Sequence, residues 1–385
     1  MNAKNVCVIS GSRADYNYLK LICEKINKSD KLKLLLIITG MHLLKEYGNT
    51  IDLIKNDNIP ITKKIPMYEE GDSLSMSLGN VVGETICKFT ESFNELKPDI
   101  IIILGDRYEP LIAALTATIL KIPIAHIHGG DISGTIDETL RHVITKLSHI
   151  HFPATPTSAE RIRLMGEEEW RIHMFGSTSV DIAKSETLLS KQEVCKKLEL
   201  DGYKKLILCL QHSNVFESDK AGDQMKITLQ VLKDLNLQTV IIYPNNDAGS
   251  KLIIKEIENN RMNPNFKIFK NLERRVYFSL LNSVDLLIGN SSGGLIESPM
   301  FKLPVVNIGT RNKDRERTEN VIDALHDYID IKNKINKGLS EEFREKCQYL
   351  KNPYGDGTAS DKIVKFLEEL LINEQLLVKK LTYKV

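Results

Sequence analysis

An excess of either charge is missing from this chain: 52 Lys plus Arg stand against 51 Asp plus Glu, a formal charge of +1. A nucleic-acid surface normally shows as a basic excess, so the balance argues against nucleic acid as a partner. Cysteine is sparse, and Cys7, Cys23, Cys87, Cys195, Cys209 and Cys347 form no C-x-x-C pair. That excludes a disulfide framework or a zinc ribbon and fits a reducing cytoplasm. No apolar run approaches the about 20 residues needed to cross a bilayer, and the first residues enter a strand-like run without a charged-then-apolar leader. A soluble, cytoplasmic protein without a membrane partner is expected. Two nucleotide signatures are also missing. No G-x-G-x-x-G follows the first strand-like run, which leaves a nicotinamide site unsupported, and no lysine-bearing Walker loop occurs. Nor is there a Gly/Ser-rich linker, so a chain of 385 residues, enough for about two or three domains, is expected to form halves that face each other closely with the ligand between them.

What is present is a regular alternation of strand-like and helix-like runs, the signature of an α/β fold with parallel sheets covered by helices on both faces. Val6–Ser10, Leu34–Thr39, Ile100–Leu104, Pro123–Ile127 and His149–Pro153 form a first series. Gly176-Ser177-Thr178 then breaks the pattern. Lys205–Leu210, Thr239–Pro244, Phe266–Phe269, Asp285–Gly289 and Pro304–Ile308 form a second. Two doubly wound, Rossmann-like domains facing across a cleft are expected, followed by a terminal helix over Asp361–Leu376 whose apolar stripe must be buried.

The densest chemistry lies between Leu104 and His142. An apolar strand ends in Gly105-Asp106-Arg107, and the next ends in His126-Ile127-His128-Gly129-Gly130-Asp131. The carboxyl end of a strand in an open α/β sheet is where ligands bind, and residues two apart on a strand face the same way, which puts His126 and His128 on one side. Asp131, Asp137 and Glu138 follow in the next loop, with Arg141 and His142 on the helix after it. Any one of these can be a helix cap or a satisfied core histidine, but caps do not explain two successive strand ends so equipped. The cluster is read as a catalytic site.

Phosphate candidates follow the same logic. Gly11-Ser12-Arg13 joins the first strand to the first helix, where free N–H groups and a guanidinium suit an anion. Gly289-Asn290-Ser291-Ser292-Gly293-Gly294 repeats the strand-loop-helix arrangement with two hydroxyls, and Glu297, one turn on, suits a pair of ribose hydroxyls. Gly309-Thr310-Arg311 supplies a second cation. Two further strand ends carry His212 and, in Tyr243-Pro244-Asn245-Asn246-Asp247, polar residues on a tight turn. A nucleoside diphosphate held without a P-loop is expected.

Taken in order, GSRADY at 11–16, TGMHL at 39–43, GDRYEP at 105–110, GGDISGTIDETLRHVITKLSH at 129–149, YPNNDAGSK at 243–251, GNSSGG at 289–294, GTR at 309–311 and YGDG at 354–357 resemble the hydrolysing UDP-N-acetylglucosamine 2-epimerases of sialic-acid and related nonulosonate pathways. The resemblance covers nearly the whole chain. It implies a glycosyltransferase-B type fold, with residues 1–175 and 362–385 forming the first domain and 176–361 the nucleotide-binding second. It implies conversion of UDP-GlcNAc and water to ManNAc and UDP, without metal, nicotinamide or other cofactor, in a homodimer or homotetramer. By the same resemblance Asp106, Asp137 and His212 are catalytic, with His128 and Asp131 beside them. Arg13, Arg107, Asn245, Asp247, Ser291, Ser292, Gly293, Glu297 and Arg311 bind the substrate or its nucleotide.

Two departures from the family pattern stand out. His126-Ile127-His128 occupies the place of His-x-Glu-Gly-Gly, so a histidine replaces a catalytic glutamate. His212-Ser213-Asn214 replaces His-Pro-Val-Thr, near the sugar, which points to a 4-acetamido-6-deoxy relative such as N,N'-diacetylbacillosamine, on UDP or GDP, as an alternative substrate. The competing readings are a glycosyltransferase, a non-hydrolysing epimerase, an inactive nucleotide-sugar-binding regulator, and a metal held by His126, His128 and Asp131.

Overall fold

The structure, a computed structural model, describes residues 3–44, 50–68, 78–133, 136–245 and 247–383. Gly134, Thr135 and Asn246, which belong to two of the motifs above, lie outside the described residues. The chain divides into two compact units, Met1–Lys184 with Tyr354–Val385, and Ser185–Pro353.

In the first unit β1 (Lys4–Ser10), β2 (Leu32–Thr39), β3 (Lys63–Ile65), β4 (Ile100–Leu104), β5 (Ile124–Ile127) and β6 (Ile150–Phe152) form a parallel sheet in the order β3-β2-β1-β4-β5-β6. Alternate residues feed opposite cores. Val6, Val8, Ile100 and Ile102 pack on one face with the helix Arg13–Lys28, while Cys7, Ile9, Ile101 and Ile103 pack on the other with Phe89, Ala113 and Ile144. A strand buried on both sides must be apolar throughout, and for that reason Ile100 to Leu104 reads as one uninterrupted run.

The second unit repeats the plan. β7 (Leu206–Leu210), β8 (Gln238–Ile242), β9 (Phe266–Phe269), β10 (Leu286–Gly289), β11 (Val305–Ile308) and β12 (Val321–Ala324) form a parallel sheet in the order β12-β11-β10-β7-β8-β9. Each sheet has one strand more than the sequence reading counts, β3 and β12. Both are edges and both are short and charged, Lys63-Lys64-Ile65 and Val321-Ile322-Asp323-Ala324, as edge strands that resist further pairing should be. In each sheet the winding reverses between the first and fourth strand of the unit, β1 and β4 or β7 and β10. Ligands of doubly wound sheets bind beyond such a switch point.

The unit boundary differs from the sequence reading, which put it at 175 and 362. The helix Thr178–Ser185 stays with the first unit up to Lys184, and its buried Asp181 carboxylate accepts the N–H groups of Ala359 and Ser360, capping the terminal helix. That helix is also shorter than expected, Ala359–Glu369. Lys4 Nζ donates to the carbonyls of Glu368 and Leu370, closing its end, and Ile363, Val364 and Leu367 pack against the helix Arg13–Lys28.

Beyond that helix the chain makes one more helical turn, Glu374–Leu377, and is clamped there. Arg171, fully buried, donates to the carbonyls of His149, Gln375, Leu376 and Val378 and to the Glu168 carboxylate. Lys379 reaches Glu167 at 2.7 Å, where Lys146 and His151 also donate. Burial alone would raise the Glu167 carboxyl, but those three donors outweigh it and hold it at about 2, against an ordinary 4.5. The folded value is depressed, so the stability this carboxylate contributes is complete above the ordinary value and fades as pH falls toward the depressed one. Glu167→Gln is expected to flatten the acid limb of a urea-midpoint profile between about pH 2 and 5; an unchanged limb would remove Glu167 from that role.

Candidate active site

The first unit gathers its polar side chains at the carboxyl ends of β1, β4 and β5. Asp106 follows β4 directly, and its Oδ2 is ion-paired with Nη2 of Arg141, a guanidinium only 5% exposed. Arg141 Nη1 donates to the backbone carbonyl of Asp131 at 2.7 Å. One buried arginine thus ties the β4 loop to the β5 loop. Sequence reasoning placed Arg141 on the right helix, Ile136–Leu147, but gave it no task; the one signal was its place four residues after Asp137.

Asp131 is itself held from the other side, its Oδ1 accepting the Ser158 hydroxyl at 2.6 Å. Its Oδ2 lies 3.3 Å from His128 Nδ1, and His128 Nε2 is buried with no hydrogen-bond partner among the described residues. His128 also sits at φ +61, a left-handed conformation that costs a non-glycine residue about 1–3 kcal/mol and tends to be kept at functional positions. This backbone turn corrects the expectation that His126 and His128 share a side: β5 ends at Ile127, and strand alternation ends with it. His126 is a core residue. Its Nε2 meets the Gly105 carbonyl at 2.8 Å and its Nδ1 the Thr145 hydroxyl at 3.2 Å, and burial lowers its pKa to about 3. With both ring nitrogens engaged it is not available as a metal ligand beside His128.

Arg107 is half-exposed, its Nη2 3.9 Å from the Met41 sulfur, and the charges of Glu109, Asp15 and Asp137 act on it. Asp137 stands in the first turn of the helix Ile136–Leu147. At the β1 end the structure departs from the phosphate expectation in one respect. Ser12 caps the helix Arg13–Lys28, and the Gly11 N–H is taken by the Asp15 carboxylate at 3.2 Å. Two of the turn's N–H donors, those of Gly11 and Asp15, are thus taken within it, and Arg13, the first helical residue, adds a guanidinium beside them.

In the second unit β7 and β10 end side by side. Asn290 bridges them, accepting the His212 N–H through Oδ1 and donating through Nδ2 to the His212 carbonyl. Arg311 Nη1 donates to the Asn290 carbonyl at 3.2 Å, with Asp247 3.7 Å from its Nη2, and Asp247 accepts from Asn245 Nδ2 at 2.7 Å. Ser291, Ser292, Gly293 and Glu297 follow β10. The helix they open is a single turn, Gly293–Ile296, too short for a developed dipole. Hydroxyls and the Arg311 guanidinium remain as anion donors there. A side chain at Gly293 would come within 3.0 Å of Glu297 Oε2 and 3.3 Å of the Tyr277 hydroxyl, so this glycine leaves room for the carboxylate that follows it.

Two groups of Asn245 meet His212 Nδ1: the backbone N–H donates to it at 3.0 Å and Oδ1 lies 3.2 Å away. A backbone amide can only donate, so with that bond formed the ring proton is on Nε2. Burial, and after it Arg311, lower the histidine pKa to about 4. His212 is therefore a neutral hydrogen-bond donor at physiological pH. His212→Gln, which keeps an N–H donor, is expected to hold kcat/KM within about tenfold of the parent, whereas His212→Ala loses about 100-fold; equal losses would point to proton transfer instead.

Two units with this topology and loops equipped at their switch points define a two-domain α/β protein of the glycosyltransferase-B type. Its fold is that of the Neisseria meningitidis UDP-GlcNAc 2-epimerase, whose crystal structure bound to UDP-GlcNAc matches with a TM-score of 0.81 at 20% identity, over 95% of this chain and 100% of that one. Residues 24–368 match the UDP-N-acetylglucosamine 2-epimerase family, and the chain belongs to that family. It is 36% identical over 98% of both chains to the UDP-N,N'-diacetylbacillosamine 2-epimerase (hydrolyzing) of Legionella pneumophila. It is 36% identical over 95% of both to the GDP/UDP-N,N'-diacetylbacillosamine 2-epimerase (hydrolyzing) of Campylobacter jejuni.

Proposed function

We propose that this protein is a hydrolysing 2-epimerase: it takes a nucleoside-diphosphate 2-acetamido sugar and water to the free 2-epimer and the nucleoside diphosphate. N,N'-diacetylbacillosamine on UDP is the substrate favoured by the two relatives at 36% identity and by Ser213-Asn214 after the family histidine. UDP-GlcNAc, giving ManNAc, is the second substrate to test, because the protein of the matching crystal structure binds it.

The observation that carries the reading is the pair of proton-handling groups joined through one arginine, Asp106 on Arg141 and His128 on Asp131. The C2 hydrogen of the sugar is a weak acid, so its removal needs an oriented base while the anomeric bond to the diphosphate breaks. The product of that step is a glycal. Water then adds at C1 as a second group returns a proton to C2 from the opposite face. Two separate acid/base groups and cations for the leaving diphosphate are the minimum equipment. Asp106, Asp137 and His128 with Asp131 supply the first, Arg107 and Arg13 the second. In the other unit Ser291, Ser292 and Arg311 are proposed to take the diphosphate, with His212 donating from Nε2, and Glu297 the ribose, with Asn245 and Asp247 holding the histidine and arginine in place. The scheme draws on no metal or nicotinamide.

Incubation with each sugar nucleotide, UDP- and GDP-linked, in deuterated water followed by proton NMR tests the proposal. Free 2-epimer carrying deuterium at C2, with released nucleotide, is expected. Unlabelled free sugar would mean plain hydrolysis, and a 2-epimer still on its nucleotide would mean the non-hydrolysing reaction. A cytoplasmic homodimer or homotetramer is part of the same proposal. It is supported by Leu115, Ile119 and Val143, which stand 38, 65 and 43% exposed on the neighbouring helices Tyr108–Ile119 and Ile136–Leu147, and light scattering decides it.

A further inference from the structure

We propose that Glu109 is a positioning residue for this chemistry: a buried counter-charge, seated against Gly11 and Gly40, that holds the Arg107 guanidinium where the diphosphate departs. The inference rests on the function proposed above and concerns Glu109, which that proposal gives no role.

Glu109 lies in the first turn of the helix Tyr108–Ile119, directly beyond β4, and is only 1% exposed. An acid there is unusual, since carboxylates are seldom fully buried unless paired. Its pairing is one-sided. Oε2 lies 3.8 Å from Arg107 Nε, and the Tyr68 hydroxyl and its own backbone N–H hydrogen-bond to the carboxyl. Oε1 is buried with no hydrogen-bond partner among the described residues.

The space around it is made by two glycines. A side chain at Gly11 would come within 2.9 Å of Glu109 Cγ, and one at Gly40 would run into Oε1. Gly40 also has φ +58, a region glycine enters without penalty. The β1 turn, the β2 turn and the start of the β4 helix therefore close around one carboxyl group, at the switch point where a dinucleotide-binding domain would admit a phosphate.

A methionine of similar length would fill this space without an orphaned oxygen, and by packing alone would be the better residue. What it could not do is bear on the charge of Arg107. The acid side is shared: Asp15, in the first turn of the β1 helix, also acts on Arg107, and burial pushes both carboxyls upward. Two acids behind and one half-exposed guanidinium in front leave Arg107 anchored at Nε, with its Nη2 beside Met41.

The test pairs Glu109→Met with Arg107→Lys, singly and together, in the full chain. Glu109→Met is expected to melt at or above the parent temperature yet lose about 30-fold in kcat, with KM changed by less than about threefold. In the Arg107→Lys background the same change should cost no more than about twofold, because the group it positions is already gone. In protein carrying nitrogen-15-labelled arginine, the Arg107 Nε–H resonance, assigned by its absence from Arg107→Lys protein, should broaden or vanish. A kcat within twofold of the parent with an unchanged resonance overturns the inference, as does a kcat loss that multiplies with that of Arg107→Lys. Should Glu109→Met fail to fold, Glu109→Gln is read the same way. If the parent protein turns over no sugar nucleotide, the functional proposal fails by itself, and the arginine resonance alone decides whether Glu109 holds Arg107.

Discussion

Asp106→Asn is expected to lower kcat by about 1,000-fold while UDP affinity stays within about twofold. The asparagine keeps the shape of the side chain and can still face Arg141, but it neither accepts nor returns a proton, so the loss should fall on the chemical step. Apart from Arg13 and Arg107, the nucleotide contacts proposed here lie in the other unit, and Asp106 is not among them, so UDP binding, read by calorimetry, should be spared. The removal of one charge from the Arg141 pair also leaves a buried guanidinium short of its partner, and a lowered melting temperature should accompany the variant. Arg141→Met separates the two effects, since it disturbs Asp106 without removing its carboxylate. Turnover by Asp106→Asn within tenfold of the parent would take Asp106 out of the reaction.

Replacing His128 by Asn should cost about 100- to 1,000-fold in kcat and little in folding. Asparagine enters the left-handed region more readily than most residues, so the backbone at φ +61 is preserved and the measurement isolates the imidazole. His128→Glu is the informative companion, because the family resemblance implies a catalytic glutamate at this position. It should turn over faster than His128→Asn if the position moves a proton, and no faster if His128 only fills space against Tyr18, whose ring lies 5.2 Å away. Asp131→Asn should share most of the His128→Asn loss, since its carboxylate orients the ring. Equal activity of parent and His128→Asn protein would assign the proton transfers to carboxylates alone.

The fold was legible because its sheets are buried on both faces. Runs such as Ile100–Leu104 cannot be mistaken for exposed strands, and the glycines and acids that follow them mark the strand ends. The two edge strands were not legible, since three or four residues bearing lysine or aspartate carry no hydrophobic signal. Most candidate site residues could be named one by one from where strands stop, yet their partners could not. Arg141 and Ser158 are ordinary helix residues until the fold brings them to Asp106 and Asp131. Glu109 reads as a first-turn acid favoured by the helix dipole, and only the backbones of Gly11 and Gly40 reveal that it is enclosed. The turn at His128 breaks the two-residue periodicity by a dihedral angle that no spacing rule anticipates.

The second unit is one continuous stretch, Ser185–Pro353, whereas the first needs residues from Tyr354 onward to be complete. On the ribosome the order of completion is therefore reversed: the later-encoded half can finish while the earlier one waits. Until Ile363, Val364 and Leu367 emerge, the sheet covers only part of the apolar side of the helix Arg13–Lys28 and the rest lacks its cover, and nascent chains stalled in that window should be the ones that chaperones capture.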